Sequence, residues 1–190
     1  DRPRIALLNA AHEAASTSRN FRRELDAEVV EFNCPAGEVP ETFSFDGCVV
    51  TGARASVYWD EPSIGRLKAW GGEAVELLAG VGDDFTVCTT HSDHVVEAPP
   101  GATVFARNEY GIHGFRKGHV FAVQFHPEYD TTTAREVTEG KDGQISDERI
   151  RSVLAGITEE NYTAACEAKR LFENFLAYVE SVRPEQVRAD

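Results

Sequence analysis

Apolar positions fall into short runs in the first two thirds of the chain and into a helical stripe near its end. Arg4-Ile5-Ala6-Leu7-Leu8-Asn9 reads as a first strand, because a run of apolar residues this short suits a strand buried on both faces. Asn20 to Leu25 falls in a first helix, with Ser16, Thr17 or Ser18 as N-cap candidates. Glu28 to Phe32 reads as a second strand, and Gly47 to Thr51, ended by Gly52, as a third. Glu61-Pro62-Ser63 opens a helix through Ile64, Leu67, Lys68 and Trp70, with Pro62 near its first turn. Phe85 to Thr90 reads as a strand. Thr103 to Ala106 and His113 to Arg116 read as a pair joined by the turn Asn108-Glu109-Tyr110-Gly111. Beyond Asp130 the chain is charged and polar through Gly143. A long helix then runs from about Glu159 to Val182, with Ala165, Ala168, Leu171, Phe172, Phe175, Leu176 and Val179 on one stripe.

Strands and helices alternate early, strands cluster, and helices return. That order predicts an α/β fold: an open, mostly parallel sheet with a small antiparallel appendage. The expected organisation is a single domain over residues 1–190, with 130–190 as a charged linker and helical extension of it.

The chemistry concentrates where the apolar run Val120-Phe121-Ala122-Val123 gives way to Gln124-Phe125-His126-Pro127-Glu128. On an extended chain, residues i and i+2 point to one side. Glu128 is therefore placed to hold the His126 imidazole in one tautomer while the other ring nitrogen faces a reacting group. The bland alternative is a surface pair at a strand end.

Composition narrows the function classes. The chain has 32 acidic against 19 basic residues, a formal net charge of −13, so nucleic acid and anionic membranes are disfavoured as partners. Lys68, Lys117, Lys141 and Lys169 are its lysines, and an acidic, lysine-poor surface fits either a high-salt habitat or an ordinary acidic enzyme. No apolar run reaches the length of a membrane span and no signal peptide opens the chain, which places it in the cytoplasm. Cys34, Cys48, Cys88 and Cys166 make no Cys-x-x-Cys pair, so no zinc site is signalled. His91-Ser92-Asp93-His94 has metal-ligand residue types, but strand alternation sets His91 and His94 on opposite faces; neither a metal nor another cofactor is expected. His12 and Glu13 follow the first strand, in a loop.

Phe-His-Pro-Glu after a strand resembles the histidine motif of the class I (triad-type) glutamine amidotransferases. Val49-Val50-Thr51-Gly52-Ala53-Arg54-Ala55-Ser56-Val57-Tyr58 resembles that family's oxyanion loop, with Ala53 where the family has proline. Thr89-Thr90-His91-Ser92-Asp93 resembles its glutamine-contact segment, and Arg4 to Ala10 its first strand. The likeness covers roughly residues 4–130. It implies a flavodoxin-like sheet with the site at the carboxyl ends of the strands. It further implies glutamine hydrolysis by a Cys-His-Glu triad containing His126 and Glu128, with the Gly52 amide in the oxyanion hole and Thr90 and His91 near the backbone groups of glutamine. Ammonia would pass to a separate synthetase, near Tyr58 and Trp59, in the manner of the amidotransferase subunit of guanylate synthase. A γ-glutamyl peptidase of the same fold uses the same triad, and a catalytically dead glutamine-binding or regulatory relative would keep the fold.

One part of that pattern is missing. The family sets its cysteine on a Gly-x-Cys-x-Gly turn at a helix N-terminus, where backbone donors favour thiolate. Here Lys68-Ala69-Trp70 runs into Gly71-Gly72-Glu73-Ala74-Val75-Glu76-Leu77, and no cysteine lies between Cys48 and Cys88. Either the nucleophile has been lost, or a strand and turn between Trp70 and Leu77 are missing from this sequence. Deleting a central strand would leave its neighbours unpaired and a hole in the core, which favours the second explanation.

Overall fold

A computed structural model describes residues 2–11, 14–42, 44–52, 77–82, 85–91 and 93–183. The helix expected over Pro62 to Trp70, the residues Tyr58 and Trp59, the loop residues His12 and Glu13, and the Trp70-to-Leu77 junction up to Glu76 lie outside the described residues. The chain forms two compact units, residues 1–72 with 172–190, and residues 73–171.

In the first unit, β1 (Arg4–Asn9) lies between β2 (Glu28–Asn33) and β3 (Gly47–Val50) in a parallel three-stranded sheet of order β2-β1-β3. The register pairs Ile5 with Val29 and with Gly47. Ile5, Ala6, Leu7 and Leu8 are each 0% exposed, which is why β1 reads as a continuous apolar run rather than an alternating one. Helix α1 (Ala14–Glu24) connects β1 to β2, the crossover that a parallel pair requires. It starts before Ser16, so the N-cap candidates lie inside it. Ser18 instead donates its hydroxyl to Glu31 Oε2 at 2.6 Å, a bond that ties the helix to β2. Phe21 meets Phe172 edge to face, ring centroids 6.0 Å apart. Gly47 is fixed by close approach: a Cβ there would lie 2.8 Å from Val179 Cγ2.

The second unit carries an antiparallel meander of β4 (Thr103–Asn108), β5 (Gly111–Lys117) and β6 (Val120–Val123), in that order. Its tight β5–β6 turn uses Gly118 at φ 56°, a left-handed conformation that glycine adopts without strain. Helices α2 (Thr131–Glu139), α3 (Asp147–Gly156) and α4 (Glu159–Ala165) follow. A 3-10 turn over Cys166–Lys169 leads into α5 (Arg170–Val182).

Three departures from the sequence reading have physical causes. The stretch after Asp130, read as charged and polar, contains α2. Asp130 caps it by accepting from Thr133 N at 2.7 Å, and its buried positions are Thr133 and Thr138. Threonine is a weak apolar signal, so the stripe was hidden. The long terminal helix is interrupted at Cys166–Lys169, where Ala168 is fully buried and Glu167 accepts from Gly82 N at 2.9 Å. Phe85 to Thr90 is not a strand in the described structure: a strand needs a ladder, and here the Cys88 carbonyl takes a single backbone bond, from His126 N.

The class is α/β as expected: a parallel sheet with a connecting helix, a small antiparallel sheet and further helices. No helix among the described residues is long and apolar enough to cross a membrane.

Candidate functional site

The end of β6 is anchored residue by residue. Gln124 N donates to His113 O at 2.9 Å, continuing the β5–β6 ladder one step past the strand. Phe125 turns the other way into the core, 3% exposed, and packs edge-on against Phe85 with centroids 5.6 Å apart. His126 N then bonds the Cys88 carbonyl at 2.8 Å. This alternation sends Gln124 and His126 to one side and Phe125 to the other.

His126 Nδ1 and Glu128 Oε1 are 2.9 Å apart. The pairing expected from i, i+2 spacing is present, but a turn produces it rather than an extended strand. Pro127 and Glu128 form the turn, and Tyr129 N closes it on the His126 carbonyl at 3.4 Å. The Pro127 carbonyl accepts from Lys169 Nζ at 3.0 Å, so a residue of the 3-10 turn holds the site from behind. Glu128 is only 6% exposed, whereas the His126 side chain keeps 21% of its surface open. An ionised carboxylate only accepts, so this geometry suits a ring that carries its proton on Nδ1. Tyr129 stacks on the imidazole, with centroids 4.4 Å apart and planes 19° apart. Sequence reasoning missed Tyr129; its adjacency to the Pro-Glu turn was the available signal.

The segment resembling a glutamine-contact strip is held by hydrogen bonds. Just before it, the Cys88 carbonyl takes the His126 amide. The Thr90 hydroxyl accepts from Lys141 Nζ. The Asp93 carbonyl accepts from His91 Nδ1 at 2.8 Å and from Gln124 Nε2 at 2.8 Å. Thr90 and His91 are half-buried, and Ser92 lies outside the described residues. Among the described residues His91 and His94 lie in no strand, and their rings lie 6.4 Å apart. Among the described residues no group of three His, Cys, Asp or Glu side chains is placed to hold a metal ion.

Behind this strip, Gln124 lies directly opposite His113 across the β5–β6 pair, by continuation of the Gly114–Val123 register. Both line a cavity of about 130 Å³ with Val95, Ile112 and Phe115. Burial, and then the neighbouring His91, push the His113 pKa down. His113 Nε2 and Gln124 Oε1 are buried without a hydrogen-bond partner among the described residues.

Gly52 lies in the first unit, exposed, just past β3. Thr51 fixes its approach: Thr51 N bonds Leu8 O at 3.1 Å and the Thr51 hydroxyl accepts from Ala10 N at 2.9 Å.

Three of the four thiols, Cys34, Cys48 and Cys88, are pushed up. Burial pushes the Cys88 pKa up to about 11, with Glu128 adding to the rise and Lys141 opposing it. Burial likewise takes Cys48 up to about 12 and raises Cys34. Nucleophilic thiols sit in surroundings that lower their pKa.

Residues 59–139 match the family described as glutamine amidotransferase class-I. That match spans less than half of the chain. Over 62 residues it is 44% identical to a glutamine-hydrolysing GMP synthase of Pyrobaculum aerophilum, a stretch that is 32% of this chain and 12% of that protein. The fold is similar to that of a glutamine amidotransferase from Thermotoga maritima, with TM-score 0.70 at 16% identity, covering 93% of this chain and 99% of that one.

Proposed function

We propose that this chain binds glutamine and supplies the acid–base half of a triad that hydrolyses the glutamine side-chain amide, the ammonia passing to a separate synthetase. The observation that carries the reading is the buried Glu128 carboxylate against His126 Nδ1 at 2.9 Å, a geometry that suits a ring with Nε2 free to work as a base. The nucleophile this chemistry requires is a cysteine that the sequence does not contain between Trp70 and Leu77, where the family resemblance sets it. His126 takes the thiol proton as sulfur attacks the amide carbon. It returns that proton to nitrogen as the carbon–nitrogen bond breaks, releasing ammonia and leaving a thioester. Water then attacks the thioester, His126 again accepting a proton, and glutamate leaves with the thiol regenerated. Glu128 keeps the imidazole in the useful tautomer and stabilises its charged form. The Gly52 amide is assigned to the oxyanion, and Thr90 and His91 to the backbone groups of glutamine. The GMP synthase relative supports a synthetase as the ammonia acceptor.

A second reading has its own observation. No cysteine lies between Cys48 and Cys88, and the Cys34, Cys48 and Cys88 thiols are all pushed up. On that basis the protein is a glutamine-binding relative without turnover. The test is ammonia release from glutamine by the full gene product, alone and with candidate synthetases, beside calorimetric titration of glutamine. Low activity that rises with a synthetase supports the first reading. Binding without turnover supports the second, and full activity indifferent to any synthetase indicates an independent hydrolase of the γ-glutamyl peptidase kind.

A further inference from the structure

We propose that Lys141, with Thr90, binds the α-carboxylate of glutamine; this rests on the glutamine reading above and adds the residue that recognises the amino-acid end of the ligand. Lys141 is held where a flexible surface lysine would not be. It follows α2 directly: Gly140 N bonds Glu136 O at 2.9 Å and Lys141 N bonds Thr138 O at 3.2 Å, so the backbone is fixed up to the residue. Its half-buried side chain reaches back 51 positions along the sequence to donate to the Thr90 hydroxyl.

An ammonium has three donors, and Thr90 uses one. Lys141 forms no ion pair with a carboxylate among the described residues, although acidic residues outnumber basic ones in this chain 32 to 19. A partly desolvated cation without a counter-ion is an incomplete arrangement that an anionic ligand would complete. Thr90 extends the offer. Its oxygen accepts from the lysine, so its hydroxyl proton is free to be donated onward, and the two side chains form a two-donor cradle suited to a carboxylate.

The cradle sits on the strip next to the residue that holds the catalytic backbone. Cys88, whose carbonyl fixes His126 N, lies two positions before Thr90. The Cys88 thiol feels both Glu128 and Lys141, which puts the ammonium within electrostatic reach of the same few residues as the buried carboxylate. The arrangement therefore has a cation for one end of glutamine and the His126–Glu128 pair for the other.

The experiment is calorimetric titration of the full gene product with two ligands: L-glutamine, and 4-aminobutanamide, which keeps the amine and the amide but lacks the α-carboxylate. Lys141→Met is expected to weaken L-glutamine binding about 10- to 150-fold, the range for losing a hydrogen bond to a charged group. Lys141→Arg, which keeps the charge, should stay within about threefold of wild type, and 4-aminobutanamide should bind wild type and Lys141→Met equally weakly. Equal glutamine affinity in wild type and Lys141→Met would overturn the assignment. So would an equal loss for both ligands, because that pattern marks general damage to the strip. A wild type with no glutamine affinity would instead overturn the functional reading on which the assignment rests.

Discussion

Replacing Glu128 with Gln separates the electrostatic role of this residue from its shape. The side chain keeps its size in a site only 6% exposed, so packing is conserved. What changes is the charge next to His126 Nδ1, at 2.9 Å. When the imidazole takes up a proton, the carboxylate and the ring become an ion pair. At a separation of about 4 Å and an effective dielectric of about 20, that attraction is about 4 kcal/mol. The His126 side chain keeps 21% of its surface open to water, which screens part of it. The amide also has a donor to offer, and a donor facing Nδ1 moves the proton to Nε2, where it blocks the base. Together these predict a loss of about 2–4 kcal/mol of transition-state stabilisation, or roughly 30- to 1000-fold in kcat/KM. The assay is ammonia release from glutamine by the full gene product. Nitrogen-15 NMR of the His126 ring on the same variant reads the tautomer even where turnover is absent. A loss under about threefold, with the ring proton still on Nδ1, would refute the pairing as a catalytic device.

Other outcomes follow from the same structure. His126→Ala should abolish glutaminase activity while the thermal midpoint moves by only a few degrees, since the ring is partly open; an active variant would remove His126 from the mechanism. Glu31 is the hub of the first unit, accepting from Asn9 Nδ2 at 2.8 Å, Ser18 Oγ at 2.6 Å and Arg22 at 3.1 Å. Burial works to raise its pKa, but the bonds from Asn9, Ser18 and Arg22 prevail and lower it from 4.5. Its stabilisation is therefore complete above that value and lost as pH falls through the lowered one. Glu31→Gln should cost about 1–3 kcal/mol near neutral pH and less in acid, read from urea melts across pH; a pH-independent cost would contradict the linkage. His113 has the same sense in a higher pH window: its folded pKa lies below 6.5, so stability is full above 6.5 and declines as pH falls toward the lowered value. His113→Phe should flatten that part of the profile, and an unaltered acid slope would count against it. Gly114→Ala places a Cβ 2.4 Å from Phe105 Cε2 and should cost about 1–3 kcal/mol by calorimetry, with a neutral effect showing that the ring can move aside.

By itself the sequence determined those features whose cause is local. The apolar run from Ile5 to Leu8 required a strand buried on both faces, and the run Val120 to Val123 a strand leading to His126. The Asn108–Gly111 turn and its flanking strands were equally legible, because turn chemistry and alternation act within a few residues. The His126–Glu128 pairing was readable from spacing, although the structure makes it with a Pro127–Glu128 turn rather than by strand alternation. Tertiary structure alone decided what depends on partners distant in sequence. It brought Lys141 to Thr90, Gln124 to the Asp93 carbonyl and Lys169 to the Pro127 carbonyl, contacts that no periodicity encodes. It left Phe85 to Thr90 without a ladder among the described residues, because strand propensity forms no strand until a neighbour supplies hydrogen bonds. It broke the terminal helix at Cys166–Lys169, because burying Ala168 and linking Glu167 to Gly82 and Lys169 to Pro127 outweighed continuing a regular α-helix.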